Sequence, residues 1–376
     1  MESSMIDSHQ AIGLIQSLVR IPSESSGATD TNPIAPELGL AQFLAQLCGA
    51  QGVACQVREV SPGRPNFSAR FPRPGRPRLL VVGHLDTVSA AGMERPFAAR
   101  IEEGRLWGRG ACDDKGPLAT ALSVLLQLFR QGRPLAYDVT FAGSIDEECS
   151  LAGARALREE LGGFDLCLCL EPTGLRIVKA HKGVYRCRIT TRGRAVHSSA
   201  PELGRNAILG MVEVIGDLQV FAFRLGRERH PELGKATLAV TQIAGGASIN
   251  VIPDRCQIAV DVRLLPGQQP EAVATALTRL LGQRGEVEGL FAARGMQTEM
   301  DNPLLRRLQD ALAELDLEPE AVTAGYATDC SELQDGGPCV IWGPGRIDQA
   351  HQADEYIELE QVRLACQVLE TFLTRE

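Results

Sequence analysis

The sequence predicts an α/β protein in which a smaller ferredoxin-like domain interrupts a larger one. Two observations carry this expectation. From Leu79 to about Ala180, apolar strand-like runs alternate with helical stretches, the alternation of an α/β domain. From His181 the order becomes strand, helix, strand, strand, helix, strand, which is the ferredoxin-like order. A helix begins after Asn302-Pro303 and the α/β alternation then resumes. The expected division is a larger domain of residues 1–181 and 297–376 with residues 182–296 inserted. At 376 residues the chain is long enough to build two separate cores.

In the larger domain, Arg78–Gly83 is an apolar run of strand type that ends at His84. A glycine-rich loop through Gly108, Gly110 and Asp113 leads into an Ala- and Leu-rich helix from about Pro117 to Arg130. The next strand starts at Asp138 and ends in three acids, Asp146, Glu147 and Glu148, before a helix from about Ala152 to Leu161. Phe164–Leu170 is a further apolar strand, closed by Glu171. Far downstream, Pro338–Trp342 is another, followed by Gly343-Pro-Gly345 and His351. In the inserted domain the expected strands are Val184–Thr191, Ala236–Ala244, Arg255–Leu264 and Val287–Ala292. The expected helices are Gly204–Leu218 and Pro270–Leu281.

These strand ends and loops carry five candidate metal ligands: His84, Asp113, Glu148, Glu171 and His351. Open α/β sheets bind ligands outside the carboxyl ends of their strands, so four strands delivering His or Glu there points to one site. Two imidazoles and three carboxylates suit two divalent ions such as zinc. Glu147, beside Glu148, is left free to accept a proton. His84 and Asp86 are two residues apart and face the same way on an extended chain. A carboxylate there can accept the imidazole's second N–H and fix its tautomer. Plainer roles exist for each group alone. His84 could be a hydrogen-bonded strand end, Asp113 a helix N-cap, and the acid run a partner of the helix dipole.

Composition excludes other classes. With 44% hydrophobic and 23% charged residues the chain reads as an ordinary soluble globular protein. A net charge of −9 argues against nucleic acid as a partner. The one basic stretch, Arg64 to Arg78, alternates with Pro and Gly and reads as a solvated hairpin. No apolar run approaches the roughly 18 residues of a membrane span. Met1–His9 has no basic region followed by an apolar stretch, so no signal peptide is expected. Eleven cysteines, with no C-x-x-C pair, read as buried small hydrophobes in a reducing cytoplasm. A soft-metal site at Cys112 and Cys149 is not favoured.

Five motifs together give the chain a family resemblance. They are Gly83-His84-Leu85-Asp86, Gly108 through Asp113 to Gly116, Asp146-Glu147-Glu148, Glu171-Pro172-Thr173, and Gly343 through His351. Over essentially its whole length the chain resembles the metallopeptidases that include acetylornithine deacetylase, succinyl-diaminopimelate desuccinylase, aminoacylase and glutamate carboxypeptidase. The resemblance implies a zinc-peptidase-like catalytic domain and an inserted lid and dimerisation domain. It implies His84 and Glu171 on one ion, Glu148 and His351 on the other, and Asp113 bridging both. Zinc is the expected metal, with cobalt and manganese as alternatives. Glu147 matches the general base and Asp86 the partner of His84. His197 matches a histidine that reaches the partner subunit's site, which implies a homodimer. Asn250 and Arg263 match substrate-contacting positions, although a strand arginine beside acids is also an ordinary surface ion pair.

The stretches around Ala180-His181-Lys182-Gly183 and Gln349-Ala350-His351 resemble acetylornithine deacetylase in particular. A succinyl-amino-acid desuccinylase, a general aminoacylase and a dipeptidase are the enzymatic alternatives. A non-catalytic metal-binding scaffold is disfavoured because no ligand and no base is missing. Asp329 is a candidate partner for a substrate ammonium, with a loop-capping acid as the alternative. Asp114 stands where many members carry methionine and is expected to face solvent.

Overall fold

A computed structural model describes residues 6–25 and 36–375; the first five residues of the stretch inspected for a leader lie outside the described residues. The chain forms two compact units. The first comprises Met1–Lys179, Thr298–Val322 and Thr328–Glu376; the second comprises Ala180–Gln297 and Thr323–Ala327. The short return of Thr323–Ala327 into the second unit was not anticipated, because its five residues carry no periodicity of their own.

In the first unit four parallel strands lie side by side, in the order Asp138–Ser144, Arg78–His84, Leu166–Cys169, Cys339–Ile341. Their apolar runs are long because both faces of a parallel sheet are covered. Every residue from Leu79 to His84 and from Leu166 to Cys169 is buried. The hairpin Ala54–Ser61 and Arg64–Phe71 extends the sheet antiparallel beside Asp138–Ser144. The helix Lys115–Arg130 is buried continuously from Lys115 to Leu128 and packs against Ser8–Val19 and Leu359–Thr374. Since the strands are parallel and adjacent, their C-terminal ends share one edge. The residues at that edge are the ones singled out above.

The second unit has the expected strand and helix order. Its sheet runs Thr237–Gly245, Arg255–Leu264, Gly183–Arg192, Glu286–Ala293, all antiparallel. In Arg255–Leu264 the alternate residues Cys256, Ile258, Val260, Val262 and Leu264 are buried against the helices Ala207–Leu225 and Pro270–Leu281. The first of these helices starts later and ends later than expected. Asn206 caps it by accepting the Ile208 and Leu209 N–H groups, and apolar residues continue past Leu218. A small hairpin, Arg229–His230 with Gly234–Lys235, was not foreseen.

All eleven cysteines are free, and nine are buried. Among the described residues no helix is long and apolar enough to cross a membrane. The basic hairpin is present, but Arg64 is not a solvated charge. Its guanidinium meets Glu37, which is fully buried, and Asp146 at 2.7 Å.

Candidate active site

At the shared strand edge, Asp113 occupies the middle of a cluster. His84 Nε2 lies 2.9 Å from Asp113 Oδ1, and His351 Nε2 lies 3.3 Å from Asp113 Oδ2. His351 Nε2 is also 3.0 Å from Glu148 Oε1. Two imidazoles from opposite ends of the sequence thus converge on the two oxygens of one carboxylate. Ligating atoms of His84, Asp113 and Glu148 fall within 4.8 Å of one another. Glu171 is 5% exposed, and the charges of Asp113 and Glu147 bear on it.

Two of the plainer roles do not hold. Asp114, not Asp113, is at the N-cap position of Lys115–Arg130, and it makes no side-chain capping bond. The helix after Glu147 and Glu148 starts only at Ala152 and has no acid in its first turn. The third is present: His84 is hydrogen-bonded at the end of its strand and almost wholly buried, with a carboxylate oxygen on its Nε2 side.

Asp86 is the expected residue acting through a different atom. His84 Nδ1 donates to the backbone carbonyl of Asp86 at 2.9 Å, while the Asp86 carboxylate is 3.6 Å away. That carboxylate instead accepts the backbone N–H groups of Glu147 at 3.1 Å and Glu148 at 3.2 Å. Asp86 therefore sets the His84 tautomer and also holds the turn that bears the candidate base. Behind it, Arg64 binds Glu37 and Asp146, a second buried acidic group that includes Asp86. The cation in that group is the guanidinium. Sequence reasoning missed this support because Arg64 and Glu37 are 27 residues apart with no local pattern to join them.

One further expectation needs correction. Asp114 does not face solvent: it is fully buried, and its Oδ2 accepts the His84 backbone N–H at 3.2 Å. Among the described residues its Oδ1 has no hydrogen-bond partner. A Cβ at Gly83 would collide with that carboxylate, so glycine is required there. Asp329 is 1% exposed and receives a hydrogen bond from Ser144 Oγ. Burial raises its pKa to about 6, against the Ser144 bond, and the charges of His84 and Asp86 also act on it. It makes no side-chain capping bond. Its charge also bears on Glu147.

Electrostatically the site is over-supplied with acid. Burial drives the carboxyls of Glu147, Glu148 and Glu171 above their usual range, and their mutual repulsion adds to this. Burial acts in the same direction on Asp113, but bonds from His351 and His84 outweigh it and hold Asp113 below its usual range. Bonds to Asp113 and Glu148 raise His351 to about 10. Burial opposes protonation of His84, yet its bonds to Asp113 and Asp86 raise it well above 6.5. In the absence of other cations, protons must neutralise these acids. A donor set of hard oxygens and imidazoles around that charge fits divalent metals.

The second unit carries the other three candidates. His197 is exposed and its Nδ1 accepts the Ser199 N–H at 3.2 Å, so its neutral form presents Nε2–H outward. His197 pairs with Val251, and Asn250 O accepts the Ser198 N–H, which brings Asn250 and His197 into one loop cluster. Arg263 Nε donates to Asp261 at 2.8 Å, and Asp261 also pairs with Arg186. The surface ion pair foreseen for Arg263 is therefore present. Arg263 Nη1 lies 3.4 Å from Gly325 O, and the guanidinium has five N–H donors in all.

Residues 80–375 match Peptidase family M20/M25/M40, and the chain belongs to that family. It is a metal-dependent amidohydrolase. An acetylornithine deacetylase of Vibrio cholerae is 33% identical over 346 residues, covering 87% of this chain and 88% of the relative. One from Myxococcus xanthus is 35% identical over 302 residues, covering 77% of each. In fold, the chain is similar to an M20 family metallo-carboxypeptidase from Sulfolobus solfataricus. The TM-score is 0.83 at 20% identity, over 96% of this chain and 98% of that one.

Proposed function

We propose that this enzyme removes a short acyl group from the α-nitrogen of an amino acid, with N-acetylornithine as the leading substrate. The observation that carries the reading is the convergence of His84, His351 and Glu148 on Asp113, with Glu147 held beside them. His84 and Glu171 would hold one divalent ion, Glu148 and His351 the other, and Asp113 both. Zinc is the expected metal, with cobalt or manganese as alternatives. When bound, such ions lower the pKa of a coordinated water toward roughly 7 and polarise the acyl carbonyl.

The chain's own groups do the rest. Glu147 takes the proton of the attacking water and returns it to the leaving amine. Its raised pKa, caused by burial and by Glu148, suits it to hold that proton between the two steps. Asp86 keeps the base and its neighbouring ligand in register through two backbone N–H groups. His197 Nε2–H supplies a donor to the developing oxyanion. The donors of Arg263 not taken by Asp261 would clamp the substrate α-carboxylate, with Asn250 beside the His197 loop.

The substrate reading is tested by kcat/KM for N-acetylornithine, N-acetylcitrulline, N-acetylmethionine and N-succinyl-diaminopimelate. N-acetylornithine should be preferred over the neutral citrulline compound by at least about tenfold, a difference of roughly 1.4 kcal/mol. Equal rates for those two would remove charge recognition. A preference for the succinyl compound would move the enzyme to the desuccinylase branch, and faster cleavage of dipeptides would make it a dipeptidase.

We also propose a homodimer formed through the second unit, in which His197 serves the partner's site. Support comes from an apolar surface that a monomer leaves wet. Leu209, Val212, Val220 and Phe223 on Ala207–Leu225 are 63%, 60%, 52% and 70% exposed. Ile243, on the edge strand Thr237–Gly245, is 60% exposed. Mixing inactive Glu147→Gln protomers with inactive His197→Ala protomers should restore part of the activity through hybrid sites. A monomer in sedimentation with full activity would refute this.

A further inference from the structure

We propose that Glu355 is a positioning residue for the metal site, holding the loop of Asp113 in the shape that ligation requires. The proposal rests on the reading of Asp113 as the shared ligand. Glu355 lies four residues after His351 and is 1% exposed. Its Oε1 accepts the backbone N–H of Cys112 at 2.8 Å and of Asp113 at 3.1 Å. Its Oε2 accepts the backbone N–H of Gly110 at 3.1 Å and Arg109 Nη1 at 2.6 Å. One buried carboxylate thus gathers three amides of a single tight loop, whose last member is Asp113 itself.

The backbone on both sides reinforces this. Glu355 O accepts the Gly108 N–H at 3.1 Å, and Tyr356 pairs with Trp107 in the adjoining strand. The segment that follows His351 is therefore fastened at Glu355 and Tyr356 to the loop that supplies Asp113 and the strand before it. Arg109, 3% exposed, donates to Glu355 and to Ser89 O, which anchors the carboxylate from the far side. Both Glu355 oxygens are committed to donors, so the residue is not itself a ligand. Its chemistry requires a carboxylate. An amide has one accepting oxygen and would turn an NH2 group toward the same N–H donors.

The experiment titrates zinc into metal-free full-length protein against a chromogenic chelator. It compares wild type, Glu355→Gln, Glu355→Asp and Asp113→Asn, with folding checked by thermal melting. Glu355→Gln should weaken binding of both ions by on the order of 10–100-fold. Once zinc is saturating, its KM should stay within about threefold of wild type, since substrate contacts are untouched. Glu355→Asp keeps the charge but is shorter, and should show an intermediate loss; it serves as the test if the glutamine variant does not fold. A Glu355 variant that melts earlier yet binds both ions with wild-type affinity would overturn the proposal, because that is a purely structural carboxylate. Wild-type zinc affinity in Asp113→Asn would instead refute the ligand reading beneath it.

Discussion

Replacing Glu147 with glutamine should lower kcat by about 10²–10⁴-fold while metal content stays at the wild-type level, the range for loss of a positioned general base. Glutamine is nearly isosteric and leaves the Glu147 backbone N–H free to keep its bond to Asp86. The turn that carries Glu148 should therefore survive, and only proton transfer should be lost. KM should change little, because the base acts in the transition state and not in substrate binding. Steady-state kinetics on N-acetylornithine together with metal analysis of the same preparation checks both halves. Near wild-type kcat with metal bound would show that another group moves the proton.

Removing the metals should abolish hydrolysis, and restoring them should release protons. The sign follows from His351 and His84, whose pKa values are raised in the metal-free protein by bonds to Asp113 and its neighbours. With its pKa raised to about 10, His351 is protonated at neutral pH, so a metal ion must displace that proton to reach the ring nitrogen. For His351 the displacement persists up to about pH 10. Affinity should then rise with pH through the neutral range, by about tenfold per pH unit for each proton displaced. Calorimetric titration of zinc in buffers of different ionisation enthalpy measures the proton count. A buffer-independent enthalpy would mean that the ions bind elsewhere.

The strands that carry the candidate ligands could be read from sequence because each is an apolar run leading to a chemically distinctive residue. Parallel strands in one sheet must end at one edge, so residues separated by hundreds of positions are brought together by topology alone. Adjacent acids in a loop are a different matter. Periodicity cannot say which of Asp113 and Asp114 turns inward, and both do: Asp113 toward the imidazoles and Asp114 toward the His84 backbone. The role of Asp86 was readable to the residue but not to the atom. A strand-to-turn transition decides whether carbonyl or carboxylate reaches the ring, and no spacing rule contains that angle. Arg64 looked like a solvated charge because its partners Glu37 and Asp146 come from other elements. Glu355 could not be singled out from sequence, since three of its partners are backbone N–H groups, which every sequence has and none displays.

The most direct measurement is the zinc content of purified wild type beside His351→Ala and Glu171→Ala variants, each confirmed as folded. The account predicts two ions per chain in the wild type. It predicts weakened retention of one ion in each variant, with hydrolysis of N-acetylornithine falling alongside. Two firmly held ions in both variants, with unchanged turnover, would contradict it.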